Sequence, residues 1–173
     1  MQTILFIPTQ GPHLSRAGPR EQFDWRVQCR KAAEMQRATP GSLIFVPSAF
    51  QQTGSHAEID FYGEQLRAEG VPEEALLLSK RGFDIVEQCE LALALSNQEQ
   101  ARLIAISCHV QSRRVRSLLK GHGAEHVVVH GIPNRWLQFT NSVLGVVFPV
   151  LDWLGLREWW KRRVARRRLQ GKQ

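Results

Sequence analysis

Arg102–Arg114 reads RLIAISCHVQSRR, and the fold is decided in this stretch. Leu103–Ile106 is a short apolar run of the kind that fills a central strand of a parallel sheet. It gives way to Ser107-Cys108-His109, small polar side chains where the strand should end, and then to Arg113, Arg114 and Arg116 on the first turns of a helix. Open α/β sheets bind their ligands outside the carboxyl ends of the strands. A hydroxyl, a thiol, an imidazole and guanidiniums therefore converge at the edge where such folds act.

The same grammar repeats on either side. Ile4–Ile7 is strand-like and ends at Pro8-Thr9-Gln10-Gly11-Pro12, and Leu43–Val46 is strand-like and ends at Pro47-Ser48. Ala75–Leu78 and Val127–Val129 give two further strands. Between them lie four helical stretches. The first, Glu21–Arg37, carries Trp25, Cys29, Ala32 and Ala33 on one face. The second runs from Ala57 to Glu69, with Ile59, Tyr62 and Leu66 inward and Gly70-Val71-Pro72 as its stop. The third opens at Asp84, with Glu87 three residues on as in a capping box, and its expected core face is Val86, Cys89 and Leu93. The fourth ends near Lys120. Strands alternating with helices predict an α/β fold: a three-layer, Rossmann-like, doubly wound and mainly parallel five-stranded sheet over residues 1–135.

Residues 136–173 read differently, as a Trp-rich helical extension packing on the same domain. Trp153, Leu156, Trp160 and Val164 recur at helical spacing with a basic outer face, while Asn141, Ser142 and Asp152 interrupt any span of about 20 apolar residues. From Arg157 onward eight Lys/Arg accompany one Glu, so the whole formal charge of +7 lies in this tail and the rest carries fifteen charges of each sign. The body thus has no electrostatic footprint for nucleic acid; the tail has one, which an anionic membrane surface or RNA could equally satisfy. Cys29, Cys89 and Cys108 form neither an even disulfide set nor a CxxC pair, which favours a reducing compartment. MQTILFIPTQ lacks a basic start and reads as a strand rather than a signal peptide. A cytoplasmic location, with peripheral attachment to the inner membrane through Arg157–Lys172, is the expectation.

Each candidate site residue has a plain reading beside the functional one. His109 is a base, an anion partner, or a loop histidine satisfied by backbone. Cys108 is better explained by core packing than as a nucleophile paired with His109, because neighbours in an extended segment point opposite ways. Arg113 and Arg114, with Ser112 as the expected helix cap, suit a phosphate or carboxylate, or are a solvated helix face. Gly11 and Ser48 share the edge with Ser107, and Gly11 would let backbone approach a ligand. Glu58 touches this edge or complements its helix dipole. There is no GxGxxG and no GxxxxGK[ST], so no standard nucleotide motif is present. His122, His126 and His130 recur at four but straddle Gly123 and a strand, so no metal is expected.

In order and spacing these features resemble the YdcF/SanA/ElyC-like domain family of bacterial proteins. Gly11 answers the family's first glycine and Arg26 its helix arginine. Ser48 keeps the serine of a Ser-Gly-Gly strand end, with Ala49 and Phe50 in place of the glycines, and Ala57-Glu58 keeps the glutamate of a Ser-Glu-Ala helix start. Gly70-Val71-Pro72 is intact. Asp84-Ile85-Val86-Glu87-Gln88 keeps the glutamate of an Asn-Thr-x-Glu-Asn helix start, with Asp and Gln for the two asparagines and no threonine. Ile106-Ser107-Cys108-His109 resembles a Thr-Ser-x-x-His strand end one residue shorter, with Arg113 displaced alongside. Asp152-Trp153-Leu154-Gly155-Leu156 with Trp159-Trp160 resembles the carboxyl-terminal signature. The resemblance implies a polar pocket at the carboxyl edge of the sheet, lined by Glu58, Glu87, His109, Ser107, Arg113 and Asp84, with Gly11 and Ser48 giving backbone access. It implies a small anionic or nucleotide-like ligand and a link to cell-envelope processes; one family member has been linked to S-adenosylmethionine. A catalytic version of this pocket, with His109 shuttling a proton, Glu58 and Glu87 binding hydroxyls or amines and the arginine holding the anion, would be a hydrolase or transferase for a phosphorylated or nucleotide-like substrate. The rival reading is an inert domain attached to a membrane surface or RNA by its basic helix.

Overall fold

A computed structural model of the chain describes residues 2–9, 19–49, 57–130 and, beyond these, 143, 147, 150, 153–156, 159 and 162. The chain divides into two compact units, Met1–Pro133 and Asn134–Gln173. The first is built from strands β1 (Thr3–Phe6), β2 (Leu43–Pro47), β3 (Leu76–Ser79), β4 (Arg102–Cys108) and β5 (Glu125–Val129), with helices α1 (Pro19–Ala38), α2 (Glu58–Ala68), α3 (Ile85–Gln98) and α4 (His109–Leu119) between them. The sheet is parallel throughout, in the order β3-β2-β1-β4-β5. This is the Rossmann-like, three-layer arrangement expected from the sequence.

The order follows from where apolar side chains can be buried. β1 and β4 are central and nearly solvent-free, so both faces of each strand need cover. Leu5, Ile7, Ile44, Val46, Ile104, Ile106 and Cys108 pack on one face with Trp25 and Cys29 of α1 and Tyr62 and Leu66 of α2. The alternating residues Ile4, Phe6, Phe45, Leu103 and Ala105 pack on the other with Ile85, Cys89 and Ala92 of α3 and Val115 and Leu119 of α4. The chain winds outward from β1 to β3, then crosses back to β4. That reversal puts α1 and α2 in one layer and α3 and α4 in the other. It also makes the β1–β4 boundary the topological switch point, the place where open α/β sheets bind ligands at the carboxyl ends of their strands.

Two sequence expectations shift. The inward stripe of α3 is Ile85, Gln88, Cys89, Ala92 and Ser96, with Val86 and Leu93 only partly buried. The stripe turns because a glutamine occupies a core position, for a reason given below. In α4, Ser112 is not the cap. The strand continues to Cys108, which is the N-cap, and the helix begins at His109. Ser112 lies in the first turn and donates its hydroxyl back to the His109 carbonyl at 2.8 Å. Moving the helix start by four residues places His109 at its first position and carries Arg113 one turn inward.

Among the described residues of the second unit, Val143, Val147, Val150 and Trp153 are helical, and the Leu154 N–H closes on the Val150 carbonyl at 3.0 Å. Gly155 follows with φ +68°, the left-handed conformation that terminates helices. No described helix is long and apolar enough to cross a membrane.

Candidate functional site

The switch point is organised around Thr9, just past β1. Its N–H donates to Gln88 Oε1 at 3.0 Å, its hydroxyl accepts from Gln88 Nε2 at 2.8 Å, and its carbonyl accepts from Gln111 Nε2 at 3.0 Å. Gln88 reaches from α3 and Gln111 from the first turn of α4. A third glutamine, Gln28 of α1, donates to the Ile106 carbonyl at 3.1 Å and to the Pro8 carbonyl at 3.4 Å. Past their last ladder bonds, strand ends expose backbone groups that are costly to bury unpaired. Amide side chains offer a donor and an acceptor at the end of a flexible stem, so they can serve this purpose from three different helices. Gln28 and Gln88 are fully or almost fully buried for that reason.

Of the candidates from the sequence, His109 is the best placed. It opens α4 at the switch point, and Cys108 before it makes no side-chain cap bond to the first-turn N–H groups. Both His109 ring nitrogens are buried, and among the described residues neither has a hydrogen-bond partner. The ring stacks on His130, just past β5, with centroids 6.1 Å apart and planes 20° apart. The Gln111 Oε1 atom, two residues on in the same turn, is also buried and has no hydrogen-bond partner among the described residues. Buried polar atoms are normally paired, so each of these open positions is unusual. Arg113 follows His109 by four residues, hence on the same side of α4, and is exposed.

The other candidates are committed elsewhere. Ser107 is fully buried, and its Oγ lies 2.7 Å from His126 Nε2. His126 precedes Val128, the register partner of Ser107, by two residues on β5. Burial and, secondarily, the Arg116 guanidinium hold the His126 imidazole below its ordinary pKa. Ser48 and Glu58 are bonded to each other, hydroxyl to carboxylate, and Glu58 is wholly buried at the first position of α2. The Asp84 carboxylate accepts the Glu87 N–H at 2.8 Å, while Glu87 accepts the Phe83 N–H at 2.9 Å. These two carboxylates therefore cap α3, at the edge of the sheet next to the Gln88 contact. Gly11 lies outside the described residues.

Cys108, expected to pack rather than react, is in the core against α1 and α2, as are Cys29 there and Cys89 on the opposite face. Burial pushes the Cys89 thiol up to about 12 and raises Cys29 still further. Among the described residues, no three His, Cys, Asp or Glu side chains gather in a way that could hold a metal ion.

Sequence reasoning missed the three glutamines and His126. An amide at a helix core position reads as an interruption of the apolar stripe, and its partners lie as far as 102 residues away. Comparison of the chain with protein-family models, curated proteins and solved structures gives no match.

Proposed function

We propose that the chain is a YdcF-like α/β domain binding a small anionic or nucleotide-like ligand in the crevice between β1 and β4. The observation that carries this reading is His109: a half-buried imidazole with neither nitrogen bonded, at a helix start without a side-chain cap, on the edge where doubly wound sheets bind ligands. The first N–H groups of an 11-residue helix favour an anion. A phosphate or carboxylate seated there would accept from these N–H groups and from His109, with the exposed Arg113 adding charge from the next turn. The Gln111 Oε1 atom offers an acceptor for a ligand hydroxyl or amine. Gln88 and Gln111, by fixing Thr9, keep the β1 side of the crevice rigid, which spares the ligand that ordering cost.

Binding is the core of this reading. If turnover accompanies it, His109 is the group suited to move a proton, and hydrolysis or transfer on a phosphorylated substrate is the matching reaction class. Ser48–Glu58 and Asp84–Glu87 then serve to shape the edge, since their polar atoms already hold each other or the backbone.

A thermal-shift screen against nucleotides, S-adenosylmethionine, sugar phosphates and polyprenyl-phosphate mimics tests it. A ligand at a hundred times its Kd adds about 2.7 kcal/mol of stability, a readily measured shift. The expected result is a hit that disappears in His109→Ala while the fold survives. A hit that persists in both His109→Ala and Gln111→Ala would remove the site from this edge.

A further inference from the structure

The second unit poses a separate question, because the apolar side chains among its described residues are exposed. Val143, Val147, Val150 and Trp153 are helical and follow one another at spacings of four, three and three, which lines them along one side of a helix. All are exposed, Trp153 by 84%, and Leu154 and Leu156 continue the exposed apolar surface beyond the helix end. An isolated exposed valine is ordinary; a contiguous apolar stripe marks a surface that meets something. Directly after it comes the tail that holds all of the chain's net charge, beginning at Arg157 and including Arg162, which is helical and exposed.

We propose that Asn134–Gln173 attaches the protein to an anionic lipid surface, with the Val–Trp stripe at the boundary between headgroups and acyl chains and the basic tail against the lipid phosphates. The charge chooses the partner's sign. The apolar stripe chooses its kind, because Val143, Val147 and Val150 have no π-face on which a nucleic-acid base could stack, whereas acyl chains accept them without specificity. Trp153 is the residue type enriched at membrane interfaces, with an apolar ring and one polar N–H. Because no described helix is long and apolar enough to span, the element lies on the surface instead of crossing it. This attachment is independent of ligand binding at the sheet edge.

The test is co-sedimentation of the full chain with vesicles of equal parts phosphatidylcholine and phosphatidylglycerol, and with pure phosphatidylcholine. Association with the mixed vesicles only, weakening as salt rises, is expected. Arg166→Gln/Arg167→Gln/Arg168→Gln should weaken it on the order of 100-fold, at roughly fivefold for each basic residue removed. Val147→Ser/Val150→Ser leaves the charge intact and should weaken it by about tenfold or more. Circular dichroism of both variants confirms that each keeps its fold. No association with the mixed vesicles would overturn the proposal. So would tight binding to a single-stranded RNA oligonucleotide that Val147→Ser/Val150→Ser does not change, or self-association of the chain that this variant dissolves.

Discussion

Gln88 holds Thr9 at both ends of one residue, accepting its N–H and donating to its hydroxyl, from a helix 79 residues away in the chain. The pair joins α3 to the exit of β1, and Gln111 completes it by holding the Thr9 carbonyl from α4. The two helices of one layer are thereby tied to the strand end that borders the crevice. Thr9 is 4% exposed and Gln88 2%, so water cannot readily replace either bond. Removing the amide strands a buried N–H. Gln88→Leu should therefore cost about 2 kcal/mol in urea unfolding, and Gln88→Glu at least as much at neutral pH, because its carboxylate keeps an acceptor for the Thr9 N–H but buries a charge against the Gly82 carbonyl. A cost near zero for Gln88→Leu would mean that volume, not hydrogen bonding, is what Gln88 supplies.

Gly82 bears on the same contact. Its φ is +98°, where a side chain is strained, and a Cβ there would come within 2.8 Å of Gln88 Cγ and 3.5 Å of Pro47 Cβ. Gly82→Ala should destabilise by about 1–2 kcal/mol. Part of that cost is the collision with Gln88, so in a double-mutant cycle with Gln88→Ala the two costs should fall short of adding. Full additivity would assign the whole effect to the backbone.

His109 presents the opposite case, a polar side chain whose nitrogens make no bond. Residues kept for binding commonly lower stability where they stand. His109→Leu should accordingly raise unfolding stability by about 1 kcal/mol, while removing any ligand response found in the thermal-shift screen. A loss of stability in this variant would show that the imidazole is a packing element of α4.

The contrast between His109 and the glutamines explains what could be read in the sequence. The strands were legible because Ile4–Ile7 and Leu103–Ile106 are apolar runs that end in turn-forming or small polar residues, and such runs need no distant information. The face of α1 was legible for the same reason, from the spacing of Trp25, Cys29, Ala32 and Ala33. The start of α4 was not. Serine is a favoured cap, so Ser112 attracts a local reading, yet β4 runs on to Cys108 because the Cys108 side chain is buried against the opposite layer. Gln28, Gln88 and Gln111 were hidden because their partners are strand-end backbone groups fixed only by the tertiary fold. Ser107 was found as a strand-end hydroxyl, but its tie to His126 depends on β5 lying beside β4 in one particular register.

Thiol chemistry supplies a check on the two layers. Cys29 and Cys108 are enclosed on one side of the sheet and Cys89 on the other, all reduced and at most 1% exposed. Burial raises the Cys29 and Cys89 thiols, for Cys89 to about 12 with Arg114 opposing the rise. Iodoacetamide at neutral pH should label none of the three in the native protein and all three in urea, read by mass spectrometry. Rapid native labelling at Cys108 alone would mean that the end of β4 opens.

His126 gives the chain a pH dependence whose sign is fixed. Its folded-state pKa lies below the ordinary 6.5, first through burial and then through Arg116. Between the folded and unfolded values the unfolded chain binds more protons, so stability rises with pH across that window. The contribution is fully present above about 6.5 and is lost as pH falls toward the folded value. Protonation also turns Nδ1, a buried atom with no hydrogen-bond partner, into an obligatory donor, while the Ser107 contact at Nε2 survives with the imidazole donating. An NMR titration of the His126 ring should show the depressed pKa directly. Arg116→Gln should raise it part of the way, leaving the burial contribution. A His126 that titrates at or above 6.5 would place the ring in solvent and dissolve the Ser107 contact.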